Sequence, residues 1–126
     1  MFTSGGSVSL LGLDPSSNAV TPANATASYS LTSAGLETAS GNANNTWLLA
    51  GAASDYEARV TVNSGSLTTG TTGSWLGLGT TRTWTLVNSS DTPGTTTASV
   101  TVEIRTVSGS VVVASAPVDF TATVLS

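Results

Sequence analysis

SDYEARVTV at residues 54–62 and ASVTVEIRTV at residues 98–107 share one rhythm. In the first, Tyr56, Ala58, Val60 and Val62 alternate with Asp55, Glu57, Arg59 and Thr61. In the second, Val100, Val102 and Ile104 alternate with Thr101, Glu103 and Arg105. A strand turns successive side chains to opposite faces, so period two marks a strand with one face on a core and the other in water. The wet faces match as well: each carries Glu-x-Arg, at 57–59 and 103–105. Glu57 has Arg59 or Arg105 as a natural partner, and Glu103 likewise. Cross-strand ion pairs on a wet sheet face account for all four charges.

The same alternation runs outward from these two stretches. RTWTLV sets Trp84 in phase with Leu86, VDFTATV sets Val118, Phe120, Ala122 and Val124 in phase, and ATASYSL does so for Ala27, Tyr29 and Leu31. GSVSLLGL is a weaker early strand through Val8 and Leu10. Clusters of Gly, Asn, Ser and Pro at 14–24, 40–45, 63–74, 88–95 and 108–110 read as turns, and VSGSVV around Ser108 and Gly109 reads as a tight hairpin. Pro117 cannot donate to a ladder, which predicts an edge position or a strand that breaks and changes sheet. No segment carries convincing helical periodicity; NTWLLAGAA comes nearest and is cut short by Gly51. The expectation is an all-β, immunoglobulin- or fibronectin III-like sandwich of two antiparallel sheets with about seven strands. Tyr56, Trp84, Val102, Ile104 and Phe120 are its expected core. The sandwich is expected over residues 26–126, with residues 1–25 as an N-terminal arm or first strand.

With 126 residues, the chain is one domain's length and long enough to bury a core without cross-links. It contains no cysteine and no histidine, and its only cations are Arg59, Arg82 and Arg105. Disulfides, thiolate metal sites and histidine general bases are thereby excluded. Charged residues are 8% of the chain against roughly 25% in an ordinary domain. About a third of the residues are Ser or Thr, so the surface is hydroxyl, amide and glycine. A net charge of −4 leaves no cationic patch to displace the counterions of a nucleic acid. MFTSGGSVSLLGLDP lacks the basic and apolar regions of a signal peptide. No run of 18 apolar residues exists to form a membrane-spanning helix.

Candidate chemistry is thin. Asp55, Glu57 and Glu103 supply carboxylates, but ion pairing explains the two glutamates. Asp14, Asp91 and Asp119 are scattered, each in turn-forming or strand sequence, and make no calcium loop. Serines abound without a histidine or lysine to activate one. GSWLGLG is glycine-rich but lacks the lysine of a phosphate loop. No cofactor is expected. Trp75 stands at a turn entering LGLG and Trp47 precedes LLAG, each either capping an end of the sandwich or, with Asn44 and Asn45, forming a ligand surface. Sequons occur at Asn24, Asn44 and Asn88. Phe2, Leu10 and Leu11 suit either an arm that anchors on a neighbour or an ordinary first strand.

Taken in order, Asp55-Tyr56-Glu57 with Arg59, Gly73, Trp75-Leu76, Arg82 with Trp84, and Glu103-Ile104-Arg105 resemble a small immunoglobulin-like module of tailed-bacteriophage virion proteins. That module occurs alone or as a terminal domain of tail-tip and fibre proteins. The resemblance spans roughly residues 26–125 and implies a virion structural role, with no enzyme activity and no catalytic residues. A free-standing domain fits a decoration protein, made in the host cytoplasm and docked in many copies on the particle. Its expected partners are major capsid or tail proteins, with homo-oligomers also expected, and neither nucleic acid nor membrane. The alternatives are a tail-associated receptor- or carbohydrate-binding module and, last, a hydrolase using Glu57 and Glu103.

Overall fold

The computed structural model describes residues 8–10, 12–20, 24–42, 44–47 and 51–125. Among the described residues nine strands run in chain order: β1 Ser16–Ala19, β2 Ala25–Leu31, β3 Leu36–Ala39, β4 Asn45–Thr46, β5 Tyr56–Ser64, β6 Leu76–Gly77, β7 Arg82–Asn88, β8 Gly94–Thr106 and β9 Val112–Val124. They form two sheets, β1-β9-β8-β5-β6 and β4-β3-β2-β7, packed as a β-sandwich. The sole helical element among the described residues is a 3-10 turn at Ala53–Asp55. Every ladder is antiparallel except β1 on β9, which is parallel.

The alternation read from sequence is the alternation of burial. Tyr56, Ala58 and Val60 of β5 point inward, as do Val100, Val102 and Ile104 of β8 and Val118, Phe120, Ala122 and Val124 of β9. They meet Ala25, Ala27, Tyr29 and Leu31 of β2 and Trp84 and Leu86 of β7. Tyr29 lies opposite Trp84 in the β2–β7 register, with ring centroids 6.2 Å apart. All five expected core residues are at most 1% exposed. Asn88 ties the layers together at one end: its amide donates to Gly94 and Ala122 carbonyls and accepts from the Ser90 N–H. That sequon asparagine is buried, whereas Asn24 and Asn44 are exposed.

Pro117 lies within β9, opposite Thr101 of β8. Two and four residues on, the N–H groups of Asp119 and Thr121 point away from β8, toward the Asp14 carboxylate and the Pro15 carbonyl. Backbone nitrogens of alternate residues face the same way along a strand, so the nitrogen of Pro117 faces the outer edge, and no ladder bond is lost. Of the two positions anticipated for this proline, the edge is the one occupied. The β8–β9 hairpin turns through five residues, Val107–Val111, where Gly109 and Ser110 have positive φ. Buried Thr106 holds the loop, donating to the Ser108 carbonyl and accepting from the Val111 N–H.

Three features depart from the sequence reading. Val8 and Leu10 are buried but lie outside any strand, and the first strand is β1 at Ser16–Ala19, inside the 14–24 stretch read as a turn. Its composition is that of a loop; parallel pairing with β9 makes it a strand. β3 went unrecognised because its inward residues are Glu37 and Ala39 while Leu36 faces out, reversing the polarity that alternation relies on.

The link Gly65–Trp75 between β5 and β6, neighbours in one sheet, reaches across to the edge of the other sheet and back. Thr68 and Thr69 pair with Thr85 on the edge of β7, and the Gly73 N–H returns to the Val60 carbonyl of β5. Beneath it, the Trp84 indole N–H donates 2.8 Å to the Thr71 carbonyl. Gly70 sits on the ring at φ +106°, where a Cβ would fall 2.3 Å from Trp84 Cδ1. Gly70→Ala is therefore expected to cost about 3 kcal/mol or more, the clash adding to left-handed strain. Gly73→Ala, with φ +81° and open space around it, should lose only about 1 kcal/mol. Urea unfolding of both variants, followed by tryptophan fluorescence, checks the difference.

Candidate functional site

The outward face of β5 and β8 gathers four charged side chains, two of the three arginines among them. In their register Glu57 lies opposite Arg105 and Arg59 opposite Glu103. Arg59 donates from Nε (3.1 Å) and Nη2 (2.9 Å) to one Glu103 oxygen, and Arg105 Nε donates to Glu57 Oε2. Leu76 of β6 pairs with Ala58 of β5, so Trp75, one step back along an antiparallel ladder, falls beside Arg59 on the outer face. Its ring centroid is 4.6 Å from the Arg59 guanidinium carbon and 4.0 Å from that of Arg105. The five side chains form a half-buried, electrically neutral tile: two crossed ion pairs with an indole laid on both cations. Partial exposure keeps each ion pair modest, about 1 kcal/mol or less, and each cation–π contact adds about 0.5–1 kcal/mol.

Other members of the sequence motif are also engaged in holding the chain. Asp55 accepts from the Ala52 N–H at the 3-10 turn, and Arg82 donates from Nε to the Gly77 carbonyl, bracing the β6–β7 turn. Tyr56, Trp84 and Ile104 are core. Asp14 and Asp119, distant in sequence, come together through the Asp119 N–H bond to the Asp14 carboxylate. Among the described residues no three acidic, histidine or cysteine side chains group as metal ligands.

The tryptophans occupy three environments. Trp84 fills the core with its N–H bonded. Trp47 is completely buried, edge-on to Tyr56 at 6.0 Å and 83°, with no partner for its indole N–H. Neither half-buried end cap nor ligand surface describes it, and exposed Asn44 and Asn45 lack its ring as a platform. Trp75 alone is partly open, with the arginines against its ring. Leu10 is packed into its own chain's core, 7% exposed; Phe2 and Leu11 lie outside the described residues. Among the described residues the exposed large apolar side chains sit at the two ends of β9: Val107, Val111 and Val112 at the hairpin turn, Val20 and Leu125 at the far end.

Sequence reasoning missed Glu37. It is 2% exposed and accepts from the Tyr29 hydroxyl at 3.0 Å. The signal was a carboxylate two residues before Ala39 in a short apolar stretch, unreadable without knowing that a tyrosine lies on the neighbouring strand. Burial first, and the Glu37 charge second, push the Tyr29 hydroxyl far above its ordinary range.

Comparison of the chain with protein-family models, curated proteins and solved structures returns no match.

Two predictions follow from these contacts. In a double-mutant cycle of Trp75→Leu and Arg105→Met, measured by denaturant unfolding, the coupling is expected at about 0.5–1 kcal/mol. The second concerns alkali. Below about pH 10 Tyr29 is protonated in both folded and unfolded chains and adds no pH dependence. Above that, the unfolded chain releases a proton the folded chain keeps, so stability falls as pH rises, by up to about 1.4 kcal/mol per pH unit. Tyr29→Phe should remove that part of the alkaline slope in unfolding curves recorded across this range.

Proposed function

We propose that the chain is a non-enzymatic structural protein of a tailed-bacteriophage particle, an immunoglobulin-like module docked in many copies on its surface. The strand order supports the immunoglobulin-like assignment: β2 pairs with β7 in one sheet, β9-β8-β5 form the centre of the other, and β1 lies parallel on β9. One observation carries the functional reading. The motif residues that resemble the virion module interlock with one another: Arg59 with Glu103, Arg105 with Glu57, and Trp75 on both arginines, over a core containing Tyr56, Trp84 and Ile104. Their chemistry is consumed in holding the sandwich, which is what an architectural motif requires.

The remaining surface suits adhesion. Hydroxyls pair with hydroxyls on the sheet faces, as in Ser30 with Thr83 and Thr95 with Thr123. Such groups are buried against a partner at smaller desolvation cost than charges. Repeated on a lattice, individually weak contacts add up to firm attachment. A glycan-binding module at a tail tip would need an open aromatic platform, and the burial of Trp47 and the engagement of Trp75 weigh against it.

The test is to label purified particles, from the virus or prophage encoding the sequence, with gold-conjugated antibody against the chain. Dense labelling of heads is expected. Labelling confined to tail tips would favour the receptor-binding alternative, and particles without label would overturn the virion assignment.

A further inference from the structure

We infer that the segment ending in β1 is an exchangeable strand, which a second copy of this chain takes into the same groove. The segment runs from Val8 to Ala19. It inserts Val8, Leu10 and Leu13 at the margin of the core, each 7% exposed, whereas central side chains such as Ala27, Leu31 and Val102 are at 0%. It joins the sheet only at an edge, through four parallel pairs from Ser16↔Thr121 to Ala19↔Val124. Beyond the ladder, the Ser16 N–H bonds to the Ser40 carbonyl, the Asp119 N–H to the Asp14 carboxylate, the Thr121 N–H to the Pro15 carbonyl, the Asn42 side-chain amide to the Asp14 carbonyl and the Thr26 N–H to the Ser17 hydroxyl.

Its seat is imperfectly filled. Between Leu10 and Leu13 on one side and Pro117 and Val118 on the other, over Tyr29 and Glu37, lies a gap of about 10 Å³, roughly room for one water. A floor carrying a hydroxyl and a carboxylate tolerates water better than an apolar one, which lowers the cost of lifting the segment.

The partner is defined by the groove's occupant. Every copy of the chain carries a segment with this register and these three apolar side chains, so exchange reproduces every bond just described. The hinge favours it too. β1 belongs to one sheet and β2 to the other, and only residues 20–24 join them. Short hinges between packed elements promote swapping. Val20, at the start of this hinge, is 81% exposed, beside Leu125, 42% exposed, whose N–H bonds to Ala19. These two apolar side chains are left open within one chain, Val20 nearly fully and Leu125 in part, and in an exchanged pair they lie where the two copies meet.

The chain's lack of cysteine makes the test clean. Asn18 pairs with Thr123 across the β1–β9 ladder. A tagged Asn18→Cys chain and an untagged Thr123→Cys chain are unfolded, mixed, refolded at raised concentration and treated with a short bismaleimide. The expected product is a tagged–untagged adduct joining residue 18 of one chain to residue 123 of the other. Its share should exceed that of random pairing and rise with concentration. The inference is overturned if the double variant Asn18→Cys/Thr123→Cys links only within single chains and the mixture yields no mixed adduct above random, even at the highest soluble concentration. Ser16→Cys with Thr121→Cys, a second pair on the same ladder, repeats the test should the first pair misfold by near-ultraviolet circular dichroism. No particle is involved, so this result and the labelling result stand or fall separately.

Discussion

The buried indole N–H of Trp84 sets the terms for much of this molecule. A ring of that size between two sheets contributes a large share of the apolar burial, but its N–H needs an acceptor where water cannot reach. The acceptor is the Thr71 carbonyl, which the Gly65–Trp75 link carries across the side of the sandwich. For the link to lie so close to the ring, residue 70 must lack a side chain and adopt a left-handed conformation. The same path then returns to β5 and delivers Trp75 onto Arg59 and Arg105. The candidate site on the outer face is thus a consequence of satisfying one donor inside.

Much of the sandwich was legible in the chain because its long strands obey period two on both faces. The stretches 56–62 of β5, 98–106 of β8 and 118–124 of β9 could be read residue by residue, whereas the exposed first halves of β8 and β9 do not alternate, and the Glu-x-Arg repeats anticipated the crossed ion pairs that the register creates. What escaped notice depends on partners distant in sequence. β1 is written in turn residues, and only the backbone of β9 makes it a strand. β3 turns a glutamate inward, a choice that makes sense only beside the Tyr29 hydroxyl. Trp47, an end cap or a ligand surface on the sequence reading, is completely buried edge-on to Tyr56, a contact with a strand the local sequence does not announce. For Trp75 the sequence leaves both an end cap and a ligand surface open, because its seat on two arginines needs three strands in place at once.

The economy of charge has a functional side. Two of the three cations are neutralised in the tile and the third bonds a carbonyl, so the flanks carry almost no field beyond a few exposed aspartates. A surface like this, with a net charge of −4 spread over scattered carboxylates, has no concentrated patch to steer a partner from a distance. Recognition on it depends on shape, hydroxyl bonding and small apolar spots, which act only at contact. Such contacts suit a protein held on a crowded, repeating surface better than one that must find a scarce partner in solution.

The N-terminal segment follows a different logic from the sheets it leans on. Remove it in thought and the inner faces of β2, β5, β7, β8 and β9 still meet one another, because their contacts do not pass through Val8, Leu10 or Leu13. The β9 edge would then be bare along Thr121–Val124 and blunted by Pro117 further back, leaving a short docking site of defined register. Elements with few central contacts and an edge position are the first to open and the last to close. A fold with a finished core and a late-docking edge strand can have that strand supplied from its own chain or from a neighbour's, and local concentration decides between them.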